Sequence, residues 1–307
     1  MHINHNRWSQ IVFAPLLFLT KWLGINHPVF LVKVRYFVRF KKRLDLNNPK
    51  NLNEKMLYLS LKTDTTLWTR LADKYSVQDW VRSKGLEHIL IPQYQYIRKG
   101  DVLDLNLLPK DGFVLKTTHG CGDVMICKNQ SEFDMNKYLN HFKPLLESRF
   151  GALEGGKHYL RIEPGLVVEK LLTNDINSKK YSSSIIDYKF WCFNGKPTYC
   201  WVCCNRDKKG TEVMTYDLDW NAHPEWSIFR NEYRRGMVIP KPINFSEMIR
   251  VCEILSKDFP CVSVDLYNIG GKIYFGEMTF TRLGGLIDFF TEEFLMQAGN
   301  QINISDI

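Results

Sequence analysis

Apolar residues recur along this chain at two spacings, and the change from one to the other divides it. "NLNEKMLYLSLK" (51–62) and "TLWTRLADKYSVQDWVRSKG" (66–85) keep a helical spacing, the second predicted as one helix ending at Gly85. "FVLKT" (113–117) and "DVMICK" (123–128) read as strands around a glycine-rich turn, "HGCG". A helix is predicted from Asp134 to Arg149, then a glycine-rich loop at 151–158 and an apolar strand, "GLVVEKLL" (165–172). From Ile185 aromatic-rich strands take over: "IIDYKFWCF", the hairpin turn "NGK", "PTYCWVCC" and "EVMTYDLDW". A helix over Phe245–Lys257 precedes a second hairpin, "CVSVDLYNIGGKIYFGEMTFT" (261–281), and "LGGLIDFFTEEFLMQAG" reads as a closing helix. Antiparallel hairpins with helices to one side imply an α+β fold. The expected division is a basic segment (1–45), a helical lobe (46–110), a small lobe (111–182) and a large lobe (183–307), with a cleft between the last two.

Composition changes this picture mainly at the N-terminus. With 307 residues, 45% of them hydrophobic, the chain can bury a sizeable core. Eight of its 41 bases precede Asp45, the first acid, and the remaining 33 balance the 33 acids, so the whole net charge of +8 sits in the first 43 residues. A nucleic-acid enzyme needs its basic surface on the body of the fold, which argues against that partner. The uncharged run "WSQIVFAPLLFLT" (8–20) is shorter than the ~20 residues a membrane span needs and is followed by no small-x-small cleavage site. On the helix predicted next, Phe30, Val34 and Phe37 share one face and Arg35, Arg39 and Lys42 another. Residues 8–43 could thus lie on a membrane with arginines among anionic head groups, or pack on the main domain.

Eight scattered cysteines in a chain of this size read as reduced cytosolic thiols. "CWVC" (200–203) matches a zinc half-site or redox pair, but no second pair completes it.

The chemistry centres on the last hairpin, whose apolar strands each carry one acid, Asp265 and Glu277. Side chains alternate along strands, so an odd-numbered loop puts both acids on one face and an even one separates them. Sharing a face, they would repel unless a cation such as Mg²⁺ sat between them. Separated, they are solvent-facing edge acids. Lys116 ends an apolar strand before Gly120 and Gly122, an arrangement able to wrap phosphate oxygens or simply to turn a hairpin. Glu169 interrupts an apolar run before a linker, and Asp187 and Lys189 lie two apart on one strand face.

In order, these features are Asp73-Lys74 in a helix, Lys116 before a glycine loop, Glu169-Lys170, Asp187, and two acids ending in "EMTFT". That order resembles the ATP-grasp superfamily. "NLNEKM", "LADKY", "FVLKTTHGCGD", "DYKFWCFNGK" and "KIYFGEMTF" resemble the branch typified by the teichuronopeptide-biosynthesis enzyme, over about residues 45–290. The resemblance implies ATP between two α+β lobes and a substrate carboxylate phosphorylated to an acylphosphate that an amine attacks. It implies that Lys74 and Lys116 contact the α- and β-phosphates, with Gly120, Cys121 and Gly122 as the loop closing on them. Glu169 and the backbone of Lys170 and Leu172 would hold adenine, and Asp187 the ribose. Asp265 and Glu277 would ligate Mg²⁺, facing Lys116 across the cleft, with Thr279 where the superfamily usually has Asn. Lys189, Arg206 and Arg282 would clamp the transferred phosphoryl group or the carboxylate.

The implied activity is amide formation on a polysaccharide precursor, joining a uronic-acid carboxyl, small-molecule or lipid-linked, to an amino acid or amine in the cytoplasm at the inner membrane face. Two other readings remain at this point. One is a glycosyltransferase, for which "DLD" (217–219) would serve as the metal motif; the other is a nucleotide-binding protein without catalysis, which Thr279 permits.

Overall fold

A computed structural model describes residues 7–305, with side chains from residue 15. The first six residues of the basic segment and the last two of the large lobe lie outside it. The chain opens with helices α1 (Arg7–Asn26), α2 (Pro28–Phe40), α3 (Leu52–Lys62), α4 (Thr66–Ala72) and α5 (Val77–Ser83). Strands β1 (Gln93–Arg98), β2 (Phe113–Thr117) and β3 (Val124–Cys127), helices α6 (Met135–Leu146) and α7 (Lys157–Leu160), and strand β4 (Gly165–Lys170) follow. The C-terminal half holds β5 (Asp187–Phe193), β6 (Lys196–Asp207), β7 (Gly210–Tyr216), β8 (Tyr233–Arg235), α8 (Phe245–Ser256), β9 (Cys261–Ile269), β10 (Lys272–Thr279) and α9 (Glu292–Asn300).

Two sheets result. The smaller is antiparallel in the order β1-β4-β2-β3, and α6 covers it with Tyr138 and Phe142. The larger runs β10-β9-β5-β6-β7-β8, antiparallel except at the β7–β8 edge. Asn194 and Gly195 both take positive φ between β5 and β6, the tight turn that "NGK" predicts. On β5 the even positions face α8, where Phe190 lies 5.9 Å from Phe245, so the odd positions Asp187, Lys189 and Trp191 project from the opposite face.

The sequence-based division needs two corrections. The stretch 46–110 is not a lobe of its own: Leu52, Met56, Trp68, Leu71 and Val81 join the large-sheet core, whereas β1 forms the edge of the small sheet. The pattern misses this because an amphipathic helix does not specify which surface covers its apolar face. The expected closing helix also shortens to α9, since Leu283, Gly284 and Gly285 take positive φ and Thr291 caps a fresh start through Phe294 N–H.

The N-terminal helices pack on the main domain. α2 buries Leu31, Val32 and Tyr36 against Leu44, Leu57 and Leu286. Arg39 and Lys42, expected among head groups, instead form ion pairs with Asp288 and Glu292 on the body of the protein. The outward face keeps Phe30, Val34 and Phe37 exposed, as are Phe18 and Trp22 on α1. Among the described residues no helix is long and apolar enough to cross a membrane.

His158 of α7 is fully buried, edge-on to Trp68, which stacks on Phe280 at 4.6 Å. Burial, with Arg161 nearby, lowers its pKa from 6.5 to about 3. Between those values the unfolded chain binds a proton that the folded chain refuses, so this group's contribution to stability is full above pH 6.5 and declines as pH falls towards 3. Thermal melts of wild type and His158→Gln should therefore converge as pH is lowered from 7 to 4. A constant gap between the two would show that His158 is not held neutral.

Candidate functional site

The odd-numbered face of the large sheet carries a row of side chains set by strand register. Trp201 lies opposite Lys189, Lys189 opposite Asp265, and Asp265 opposite Glu277, across four adjacent strands. Lys189 forms ion pairs with Asp187 (2.5 Å) and with Asp265. Arg282 donates to both Asp265 oxygens (3.1 and 3.0 Å) and to Ser263 Oγ (3.1 Å), while Ser263 donates to Asp265 Oδ1 at 2.7 Å. Arg282 also rests over the rings of Trp191 and Trp201, 5.9 and 5.8 Å from their centres, the geometry of a cation–π contact. Arg206 reaches Asp187 Oδ2 at 3.4 Å from the exposed side.

Burial opposes ionisation of Asp265, but Lys189 and Arg282 outweigh it and hold the carboxyl at about 2. Lys189 shows the mirror balance: burial favours its neutral form, and Asp187 with Asp265 more than reverses this, raising its pKa.

Asp265 and Glu277 share a face for a reason the parity rule did not contain. The loop is two residues, Gly270-Gly271, closed by the Ile269–Lys272 pair, and an even loop should separate the acids. A β-bulge between Phe275 and Glu277 adds Gly276 to one strand, shifts the register by one and brings Glu277 opposite Asp265. A Cβ at Gly276 would stand 2.9 Å from the Asp265 carbonyl oxygen, so the close backbone approach requires glycine.

Lys74 reaches this row from a break between two helices, not from within one as expected. Asp73 accepts hydrogen bonds from Tyr75 N–H (3.1 Å), Ser76 N–H (3.3 Å) and Ser76 Oγ (2.5 Å), ending α4 and starting α5. Lys74 N–H then donates to Thr118 O (3.2 Å), and its Nζ donates to Gly120 O (2.7 Å) and lies 3.9 Å from Glu277. The loop of Gly120, Cys121 and Gly122 is thereby tied to the large-sheet acids. Lys74, and not Lys116, faces Glu277: Lys116 forms an ion pair with Glu169 on its own sheet. Lys170 N–H is already donated to Pro92 O at 2.9 Å, which leaves its carbonyl and the partly exposed Leu172 beyond β4 for any ligand.

Other sequence candidates lie elsewhere. Asp217 of "DLD" accepts from Asn221 N–H (2.8 Å) and contacts His223 (3.1 Å), fastening the turn after β7. Cys200 and Cys203 project to opposite faces of β6 and, like the other cysteines, are free thiols. Among the described residues no three His, Cys, Asp or Glu side chains gather as a metal-binding group; near Glu277 the third oxygen is Thr279 Oγ1, 3.3 Å away. Sequence reasoning missed Ser263, although its i−2 spacing from Asp265 placed it on the same face. It also missed Trp191 and Trp201, whose role appears only when the strands align, and Gly276.

Residues 51–303 match the family model described as TupA-like ATPgrasp. No curated protein matches. Solved structures similar to the chain include D-alanine–D-alanine ligase from Bacillus anthracis, with 14% identity, a TM-score of 0.45, and 76% of this chain and 67% of that one covered. L-amino acid ligase from Bacillus licheniformis gives 12% identity, a TM-score of 0.46, and coverage of 93% and 65%. Biotin carboxylase from Campylobacter jejuni gives 10%, a TM-score of 0.44, and coverage of 82% and 52%. The chain spans 54% of the ATP-bound D-alanine–D-alanine ligase chain from Bacillus anthracis.

Gly276→Ala should lower stability by about 1–3 kcal/mol, because the added carbon must displace the Asp265 backbone. Urea unfolding measures this; an unchanged midpoint would mean that the bulge tolerates a side chain.

Proposed function

The chain belongs to the TupA-like ATP-grasp family, and from that premise we propose that it is an ATP-dependent ligase joining a carboxylate to an amine. The observation that carries the reading is the convergence of Lys74 and Gly120 from one side upon Glu277 and the Lys189–Asp265–Arg282 network on the other. The residues fit a metal that arrives with polyphosphate better than a free ion. Three carboxylates, Asp187, Asp265 and Glu277, already meet four cations, Lys74, Lys189, Arg206 and Arg282. A lone divalent ion would add to a positive excess, whereas a nucleotide brings the compensating charge. Asp187 Oδ1, buried without a hydrogen-bond partner, is a deficit that a ribose hydroxyl would fill. Glu277 and Thr279 would hold Mg²⁺, which supplies charge neutralisation on the phosphates, whereas Asp265, expected as a ligand, already accepts through both oxygens from Ser263, Lys189 and Arg282.

In this reading Lys74 and Lys116 take the α- and β-phosphates, Lys116 turning from Glu169, while Gly120, Cys121 and Gly122 cover them. Adenine sits at the Glu169, Lys170 and Leu172 edge. Lys189, Arg282 and Arg206 stabilise the negative charge on the group in flight. The substrate carboxylate attacks the γ-phosphorus and ADP departs. The amine then attacks the acyl carbon, phosphate departs, and the amine proton is released as the amide forms. Such a reaction needs positioning and charge but no nucleophilic side chain. The substrate is a uronic acid of a cell-surface polysaccharide precursor, and the second substrate an amino acid or amine. Incubation with ATP, Mg²⁺, uronic acids and amines should release ADP and phosphate together. Glu277→Gln should lower that rate at least 100-fold with an unchanged melting profile. ADP release that persists in the variant, or turnover of a nucleotide-sugar without ATP, would overturn the ligase.

The exposed face of the N-terminal helices completes the reading as a contact with an anionic lipid surface. Phe18, Trp22, Phe30, Val34 and Phe37 stand out from the protein, with Lys21 and Lys33 exposed on the same two helices and Lys41 exposed just past α2. No acid precedes Asp45, so a second copy laid on this face would set lysine against lysine, whereas anionic head groups match it. Phe18→Glu with Phe37→Glu should abolish sedimentation with phosphatidylglycerol vesicles, and phosphatidylcholine vesicles should retain little protein. Equal binding to both lipids, or a dimer that the substitutions dissolve, would overturn the contact.

A further inference from the structure

Beside the Asp73–Lys74 turn lies a cavity of about 680 Å³ between α4, β1 and the chain before β4. Four cations line it: Arg70, Arg98, Lys99 and Arg161. Among the described residues none of the four forms an ion pair. Two acids, Asp73 and Glu163, share the lining, and Asp64 lies close enough to Arg161 to be stabilised by it, so the four cations still outnumber the acids around them. Unpaired cations converging on a concave surface are electrostatically costly, and a multivalent anion relieves the cost. The wall between them is aromatic. Tyr75 and Tyr96 stack at 3.9 Å with planes 7° apart, and the Arg98 guanidinium lies 5.6 Å from the Tyr96 ring centre. The exposed Tyr75 on this pair, beside arginines, suits the apolar face of a pyranose next to phosphate oxygens.

We propose that this cavity binds the phosphate-bearing part of a saccharide substrate, a sugar phosphate or sugar pyrophosphate, and so holds the acceptor beside the phosphoryl-transfer end of the cleft. Position supports this: Asp73 lines the cavity, and the next residue, Lys74, reaches Gly120 and Glu277. The inference rests on the ligase reading for its substrate class, but its test does not depend on turnover.

Calorimetric titrations of the full chain without ATP would use UDP-glucuronic acid, glucuronic acid 1-phosphate, free glucuronic acid and inorganic pyrophosphate. Phosphorylated sugars should bind at least ten-fold more tightly than free glucuronate. Arg98→Ala with Lys99→Ala should weaken them at least ten-fold while ATP affinity holds. Both residues are exposed, so folding should survive, and Arg70→Ala on another element is the independent check. A preference for the sugar nucleotide over the sugar 1-phosphate assigns a nucleotide carrier, and equal binding assigns the sugar phosphate itself; either supports the site. Undiminished binding in the variants, displacement of the sugar phosphate by ATP, full affinity for pyrophosphate alone, or no binding would overturn it. Because Glu277→Gln should leave this binding intact, loss of the ligase reading and loss of the cavity reading are separately visible.

Discussion

Ionised side chains at the centre of a closely packed sheet are tolerated only in company. Asp265 and Lys189 are almost fully buried, and desolvating either alone would cost several kcal/mol. They persist because Asp187, Arg282 and Ser263 complete the network, with every bond lying on one face of β5 and β9. Much of the architecture follows from keeping that face charged and the other dry. α8 seals the even-numbered face with Phe245, Met248 and Leu255, and Trp191 and Trp201 give Arg282 an apolar bed that leaves its donors aimed at Asp265. Removing one partner would leave an uncompensated charge, so the network is rigid in composition as well as in place.

That constraint bears on chemistry because it fixes charge before any ligand arrives. A pre-assembled set of cations spends no free energy on reorganisation when negative charge appears nearby. The partners that can yield are peripheral: Arg206 approaches Asp187 from solvent, Lys116 is held by Glu169, and Lys74 spans the Gly120 loop and Glu277. The interior of the site is therefore fixed and its rim adjustable.

Much of this was legible in the sequence. Strands β2, β4 and β5 and helices α3 and α8 follow from apolar spacing, because burial on one or two faces leaves a period in the residues themselves. The order Lys74, Lys116, Glu169, Asp187, Asp265, Glu277 pointed to the right family. What spacing could not show depends on contacts distant in sequence. The helix expected over 66–85 breaks because Asp73 caps a turn whose next residue bonds Thr118, and propensity alone gave no notice of that bond. Arg39 and Lys42, at and just past the end of α2, are held at the surface of the body because Asp288 and Glu292, some 250 residues away, supply their counter-charges. Arg282 and the two tryptophans beneath it became one unit only once the strands aligned.

The bulge at Gly276 carries a consequence for how this hairpin can vary among relatives. Facing of the two acids depends on the turn and the bulge jointly, so neither can change by one residue alone. A relative that gains one residue in the turn must lose the bulge to keep Glu277 opposite Asp265, and one that gains two must retain it. Insertions and deletions between Ile269 and Glu277 should accordingly come in compensating pairs, and an alignment that slides a gap across Gly276 would match the right acids while misreading the side of the sheet on which they stand.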